Sequence, residues 1–280
     1  MPVDFSDILT STTLRFFNPF LSLLGHYPLI LQLVKREVIG RYRGSFLGLL
    51  WSFVNPVLML AVYTFVFGFV FKARWGQGDV DQYEFALVLF AGLMVFNLFS
   101  ECILRAPNLI LSNVNYVKKV IFPLEILPWV ALGSALFHTC ISLGVLLVFL
   151  AILGHSFSWT MLLLPIVLLP FLLLIMGLSW LLASLGVFIR DIGQLVGMAI
   201  TVLMFMSPIF YPLSALPESV SGYLFLNPIT FVVEQVRNIL LWGKQPDWTY
   251  LGIYSAVSLV TAWLGLFWFE KTRKGFADVL

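Results

Sequence analysis

Long stretches of the chain contain no Asp, Glu, Lys or Arg, and their lengths predict the secondary structure. These stretches cover residues 44–71, 85–100, 126–189, 192–217 and 248–269. A helix needs roughly 20 apolar residues to cross the hydrocarbon core of a bilayer, so 126–189 is too long for one helix. The turn-forming residues Gly154–Ser158 divide that run between two Leu-rich blocks. The pattern predicts an all-α polytopic membrane protein with six transmembrane helices, near 44–71, 85–104, 122–153, 159–188, 192–210 and 248–269.

The segment before the first span predicts an N-terminal interfacial amphipathic helix over residues 27–43. Pro28 suits a first helical turn, and a partial apolar stripe follows at Ile30, Leu33, Val34 and Val38. The same segment carries four cations that can reach anionic lipid headgroups: Lys35, Arg36, Arg41 and Arg43. The alternative is a positively charged flank that only orients the first span. Both interpretations stay open at this point.

The distribution of positive charge predicts the orientation in the membrane. Six spans place both termini on one side, and 12 of the 16 Lys and Arg residues fall in the segments on that side. Positive residues accumulate in cytoplasmic loops, so both termini are expected to be cytoplasmic, in the cytoplasmic (inner) membrane. The whole chain, 1–280, is then a single transmembrane domain with an N-terminal extension, 1–26, and a cytoplasmic tail, 271–280.

Two connecting segments differ from ordinary loops. The cytoplasmic connection 105–121 has a helix-like middle, Asn108–Val117, and offers hydrogen-bonding groups at Asn113, Asn115 and Tyr116. It is either a plain loop or a short helix presented to a cytoplasmic partner.

The external segment 211–247 is rich in apolar residues but is interrupted by prolines such as Pro212 and by charges. Broken backbone at membrane depth persists only where it packs on protein or lines a wet cavity. The segment therefore predicts short re-entrant helices before the last span that cap a channel mouth, with Glu234 and Arg237 paired three residues apart.

Composition and motifs exclude several classes of function. The chain is 60% hydrophobic and 11% charged with a net charge of +2, which excludes disorder and disfavours nucleic-acid binding. Two cysteines, both in apolar stretches, do not make a disulfide scaffold. The three histidines are scattered and have no metal-ligand spacing. The third and fourth spans carry no charge that could seat a coupling ion.

The sequence disfavours two kinds of enzyme chemistry. The chain contains no Gly-rich loop that could cradle ATP, so any ATP and Mg would be bound by another polypeptide and this chain needs no cofactor of its own. Asp79 and Asp81, with Glu84, faintly resemble the acidic pair of metal-dependent glycosyltransferases. They lie in a short external loop, away from cytosolic nucleotide sugars. A polytopic lipid-linked sugar transferase therefore stays a less favoured alternative.

Aromatic residues are unusually frequent, with 27 Phe, 9 Trp and 9 Tyr. Most are expected to contact lipid or to anchor the membrane interface. Flat aromatic faces also suit the C–H faces of sugar rings, and Tyr and Trp add a polar group. On the first and fifth spans, six residues are therefore predicted to line a substrate path: Trp51, Tyr63, Phe67, Phe205, Phe210 and Tyr211.

Four blocks of sequence, in order and over roughly residues 27–270, resemble a known family. They are Arg36-Glu37 with Arg41–Ser52 and Asn55-Pro56, then Val187–Ile192, then Ser207–Pro212, then Leu226-Asn227-Pro228. The chain is similar to the membrane permeases of type-2 ABC transporters that export polysaccharides, such as O-antigen, teichoic acid or capsule. A type-2 exporter of a small molecule or drug on the same scaffold is the runner-up.

The resemblance implies a mechanism that the residues alone do not give. It implies a homodimer that pairs with two copies of a P-loop ATPase and moves a lipid-linked polysaccharide of the O-antigen type between its two subunits. The resemblance places the ATPase contacts on the interfacial helix and on the 105–121 loop, at Lys35, Arg36, Arg41, Arg43, Asn113, Asn115 and Tyr116. It places an outer gate in 211–247, with Pro212, Glu234 and Arg237. It implies no catalytic residue and no metal ligand in this chain.

Overall fold

A computed structural model describes residues 18–71, 75, 82–118, 122–215, 224 and 227–280. All regular secondary structure in these ranges is helical, as the hydrophobic pattern predicts. The α-helices are α1 (Asn18–Arg41), α2 (Trp51–Tyr63), α3 (Gln82–Arg105), α4 (Val114–Lys118), α5 (Leu127–Ile152), α6 (Leu164–Phe188), α7 (Ile192–Met206), α8 (Pro228–Leu240), α9 (Trp248–Arg273) and α10 (Phe276–Val279). Short 3₁₀ turns adjoin several of them, and a π-helical segment, Thr64–Val70, continues α2.

Five helices are long and apolar enough to cross a membrane. Together with their adjoining turns they cover Gly48–Val70, Tyr83–Asn108, Leu124–Ile152, Trp159–Phe188 and Trp248–Arg273. The fifth predicted span appears as the shorter apolar helix α7, which has 15 residues. At 1.5 Å per residue α7 is about 22 Å long, against a hydrocarbon core of about 30 Å. The class of fold is confirmed, and the count of six spans stays a prediction.

Helix α7 ends earlier than the sequence pattern suggested. The absence of charge allowed a span as far as residue 210, whereas the backbone leaves the helix at Ser207, with φ −93° and ψ 147°. Pro208 explains this, because a proline disfavours the helical conformation in the residue before it. The next residues, Pro208 to Tyr211, form turns instead of a last helical turn.

Helix α1 contains the predicted amphipathic helix as far as Arg41, and residues 42 and 43 form a turn after it. It has a kink at His26, where φ is −120° and ψ is 15°, and Pro28 follows in the first turn beyond that kink. Ile30, Leu33 and Val38 are buried. Ile30 and Leu33 pack on Ile126 and Val130 at the start of α5. The apolar stripe therefore serves as a packing surface for the bundle.

Helix α3 forms the centre of the bundle, and α6 packs closely on α9. Every residue from Phe85 to Phe99 is buried except Asn97. A Cβ at Gly265 would overlap the carbonyl oxygen of Gly177, and a Cβ at Gly177 would overlap that of Thr261. Small residues let helix backbones approach in this way inside a membrane, where apolar surface alone gives little driving force.

One end of the bundle gathers α1, α4, the 122–126 turn and α10, and we call it the basic end. The opposite end holds the turn between α5 and α6, which has Gly154 at φ 76°, and α8. Asn227 caps α8 by accepting a hydrogen bond from the Ile229 amide. α8 is one short helix of the predicted external segment; the rest of that prediction, around 216–223, lies outside the described residues, as do Asp79, Asp81 and residues 1–17.

Candidate functional site

At the basic end, α1 and the loop that contains α4 are in direct contact. Arg36 Nη2 donates a hydrogen bond of 3.1 Å to Tyr116 Oη. The Tyr116 ring stacks on Phe122 with 4.3 Å between ring centroids and 13° between planes. Arg36, Asn113 and Tyr116 line a cavity of about 170 Å³ between the two segments. The structure therefore brings together two segments that the sequence singled out separately.

Two ion pairs attach α1 to the end of α3. Arg41 pairs with Glu101, and Glu37 pairs with Arg105. Within α3, four residues apart, Arg105 Nη1 and Glu101 Oε1 lie 3.8 Å from each other. The closer partners come from α1, some 60 residues earlier in the chain. Spacing within one helix could not reveal them.

The predicted ATPase-contact residues differ in how accessible they are. Lys35 and Arg36 of α1 and Arg43 of the turn after it are exposed and line one open space. Asn115 is also exposed, whereas Asn113 is half-buried and donates a hydrogen bond to the Leu109 carbonyl. Arg41 is exposed but already paired with Glu101. The residues most available to a partner are therefore Lys35, Arg36, Arg43 and Asn115.

The end of α9 and α10 complete the basic end. Arg273 bonds Glu125 at 2.7 Å and donates to the Phe122 carbonyl at 3.0 Å. Phe276 of α10 is fully buried between Phe188 and Phe269. Lys118 of α4 donates to the Leu280 carbonyl. The 122–126 turn is therefore bonded to α9, and α4 is bonded to the residue that follows α10.

The aromatic residues predicted to line a path fall into two groups. Phe205 is 61% exposed, stacks on Phe210 at 6.1 Å, and accepts a hydrogen bond from Tyr211 Oη at its carbonyl. Partial burial raises the pKa of Tyr211, so this hydroxyl remains protonated. Pro212, beside it, is half-buried. These residues form one cluster where α7 ends.

The three predicted path residues of the first span differ in their burial and in their contacts. Phe67 stacks on Phe85 at 5.4 Å and belongs to the packed core. Tyr63 is half-buried and lines a cavity with Asn55 and Asn97. Trp51 is half-buried at the start of α2. In the described part of the chain, no hydrogen bond or ring contact joins this group to the cluster at the end of α7.

The first span and α7 both keep an apolar face uncovered. Only 11% of the most apolar window of the first span is buried, against 78% for the second span. On α7, Leu195, Met198, Val202 and Phe205 are exposed. Trp51, Tyr63 and Phe67 lie in the first span and Phe205 lies in α7, whereas Phe210 and Tyr211 lie in the turns after α7.

Arg237 is the best-connected side chain at the opposite end. It is fully buried. The predicted pair is present, with Nη1 at 3.0 Å from Glu234 Oε1. The guanidinium also donates to the carbonyls of Val88, Pro208 and Ile209 at 2.6 to 3.0 Å, and its Cζ lies 4.5 Å from the centroid of the Trp75 ring. Arg237 thus joins α8, α3 and the break after α7.

Five long apolar helices in the described part of the chain, one of them the buried central helix α3, define a polytopic α-helical membrane protein. A profile of the ABC-2 type transporter family matches residues 28–241, and the chain belongs to that family. The predicted family is therefore confirmed. Family membership makes the chain a transport subunit and implies an ATPase partner.

Named relatives resemble the chain over nearly its full length. The O-antigen export system permease protein RfbA of Myxococcus xanthus is 32% identical, covering 89% of this chain and 94% of the relative. The RfbA protein of Klebsiella pneumoniae is 25% identical over 92% and 97%. The polysialic acid transport protein KpsM of Escherichia coli is 26% identical over 84% and 89%.

Proposed function

We propose that this chain is the channel-forming permease subunit of an ATP-driven exporter of a lipid-linked polysaccharide of the O-antigen type. The observation that carries the proposal is similarity to O-antigen export permeases along about nine tenths of the chain. It would act in the cytoplasmic membrane with both termini in the cytoplasm. Two copies would pair with two copies of the ATPase, which binds ATP and Mg.

The contact surface for the ATPase is the exposed face of α1 together with the α4 loop. The hydrogen bond between Arg36 and Tyr116 supports this assignment, because it makes the two segments one continuous surface. A partner that binds this surface pushes on α1 and on the loop at the same time. The exposed cations Lys35 and Arg43 give it positive charge that an acidic partner surface can match.

The movement of α1 would pass to the opposite end through α3. The ion pairs of Glu37 and Arg41 attach α1 to one end of α3, and Arg237 attaches the other end to α8 and to the break after α7. A buried helix clamped at both ends moves as a rigid element. Closure of the ATPase would thereby shift the outer gate in 211–247, which includes Pro212, Glu234 and Arg237.

The uncovered faces of α2 and α7 would form the wall between two copies of the chain. Trp51 and Tyr63 on α2, with the cluster of Phe205, Phe210 and Tyr211, supply aromatic and hydroxyl surface on which sugar rings can slide. Phe67 contributes less, because its ring is packed on Phe85. The path would carry the glycan without a charged group that binds it tightly.

The coupling surface can be tested at Tyr116. The Tyr116→Glu substitution places a carboxylate where the ring stacks on Phe122, and it should uncouple ATP hydrolysis from export in the reconstituted complex. If the lost contact is worth about 1.4 kcal/mol, the export rate per ATP should fall about tenfold. Tyr116→Phe keeps the stacked ring and removes only the hydrogen bond from Arg36, so it measures that bond separately from the stack on Phe122. A Tyr116→Glu complex that folds, hydrolyses ATP and exports at the normal ratio would exclude this loop from coupling.

A further inference from the structure

A polar groove opens between α2, α3 and α5 on the basic side of the bundle. It has a volume of about 300 Å³ and continues into a second space of about 150 Å³ that reaches Tyr63. Asn55, Asn97 and Ser142 line both spaces. We call the two together the polar groove. No residue of the cluster at the end of α7 lines it, and it shares only Tyr63 and Arg41 with the surfaces assigned above.

The groove presents two amides without partners at membrane depth. Asn97 is the single exposed residue between Phe85 and Phe99 on α3, and Asn55 is exposed on α2. Neither side chain makes a hydrogen bond to the described part of the chain. Asn97 lies eight residues from the end of α3 at Arg105, which is about 12 Å into the membrane. Polar groups at such depth face a polar partner or a wet cavity.

The remaining polar groups of the groove favour acceptance of hydrogen bonds. Ser52, Thr139 and Ser142 each donate to a carbonyl of their own helix, so their oxygen lone pairs stay available. His138 Nδ1 lies 3.4 Å from Tyr42 Oη, while its Nε2 is buried without a partner in the described structure. Burial raises the pKa of the Tyr42 hydroxyl above its usual value. The charge of Arg41 lowers this pKa, and the charge of Glu101 raises it. The Tyr42 hydroxyl therefore stays neutral.

Charges at the groove cancel one another. Arg41 and Glu101 both line it and are paired with each other. Their neighbours Glu37 and Arg105 form a second pair, so the cluster has two positive and two negative charges. A phosphate or carboxylate would have to displace a carboxylate to gain a cation. The groove therefore suits an uncharged ligand with many hydroxyl groups.

We infer that the polar groove binds one uncharged sugar ring. Each ring hydroxyl can donate to the serine and threonine oxygens and accept from the Asn55 and Asn97 amides, which satisfies the amides that the fold leaves open. The ring belongs either to a glycolipid that enters from the membrane or to the glycan in transit. Only the second source rests on the proposed function.

The test uses protection of a cysteine in the groove. Ser142→Cys is made in a Cys140→Ser background, since Cys140 is exposed and Cys102 is buried. The purified full chain is placed in phosphatidylglycerol nanodiscs, and the rate of modification by a small methanethiosulfonate is measured. The probes are monoglucosyl-diacylglycerol in the nanodisc or free maltotriose in solution. Ser156→Cys in the exposed turn between α5 and α6 is the control site.

We expect a probe at ten times its dissociation constant to slow Ser142→Cys modification about tenfold and to leave Ser156→Cys unchanged. Protection by the glycolipid alone identifies a membrane glycolipid as the source, and protection by maltotriose identifies the glycan. Asn97→Leu and, separately, Asn55→Leu should abolish protection in chains that elute normally on size exclusion.

Three results would overturn the inference. They are an unchanged rate with either sugar, equal protection by a diacylglycerol that lacks the glucosyl group, and slow modification that accompanies a cross-link of Ser142→Cys between two copies of the chain. The experiment uses no ATPase and no export, so a failure here leaves the proposed function standing, and a failure of export leaves this result unaffected.

Discussion

Arg237 shows how far single residues could be predicted from the sequence. The three-residue spacing to Glu234 predicted their ion pair, and the structure confirms it. Its other partners are the carbonyls of Val88, Pro208 and Ile209, which lie 149, 29 and 28 residues away. Such contacts depend on how helices pack, and no local pattern encodes them. The same holds for the pairs between α1 and α3.

Replacement of Arg237 should destabilise the fold strongly. Arg237→Met leaves three buried carbonyls and the Glu234 carboxylate without their donor, and the loss of one partner of a buried charge pair costs about 3–5 kcal/mol. We expect a clear decrease in the apparent Tm of the purified chain in detergent. Lys244→Met is the control, because Lys244 is an exposed cation in the same external segment. Equal Tm values for the two variants would mean that Arg237 does not hold the external end together.

At the scale of elements, charge-free runs predicted where helices occur and proline chemistry decided where one of them ends. The pattern missed the end of α7 at Met206, although Pro208 was a local signal that could have found it. It also could not tell which glycines sit in helix contacts. Gly252 and Gly265 both lie in α9 and look alike in the sequence, yet a Cβ meets nothing at Gly252 and overlaps backbone at Gly265.

These two glycines form a matched pair for measuring the α6–α9 contact. Gly265→Ala forces the backbones apart at Gly177 and should cost about 1–3 kcal/mol. Gly252→Ala should be neutral or should stabilise by up to about 1 kcal/mol through helix propensity alone. Thermal or denaturant unfolding of the two variants gives the comparison. If Gly265→Ala is as stable as Gly252→Ala, the close approach of α6 and α9 is absent in the membrane.

For the whole molecule, composition and the positive-charge bias predicted the class of protein and an orientation. Composition could do so because a chain that is 60% hydrophobic has to bury its surface in lipid. Composition could not predict how the helices are arranged, because all six predicted spans have a similar composition. The path, the coupling surface and the polar groove each need residues from two or three helices, which only packing brings together.

The orientation makes a prediction of its own. In the Cys140→Ser background, Ser156→Cys and Gln245→Cys should react with a membrane-impermeant maleimide in intact cells, because both sites are exposed at the end opposite to α1. Ser112→Cys, exposed at the basic end, should react only after the membrane is permeabilised. The reverse pattern would invert the topology and would place the coupling surface outside the cell.

The central claim is that this chain is a conduit driven by a separate ATPase. The most direct measurement is export of a lipid-linked polysaccharide by sealed vesicles that contain the purified chain, with and without the ATPase that co-purifies from the native membrane. The account predicts ATP-dependent movement only when both proteins are present, and no movement with either one alone. Vesicles that contain only this chain and still translocate the glycan would contradict it.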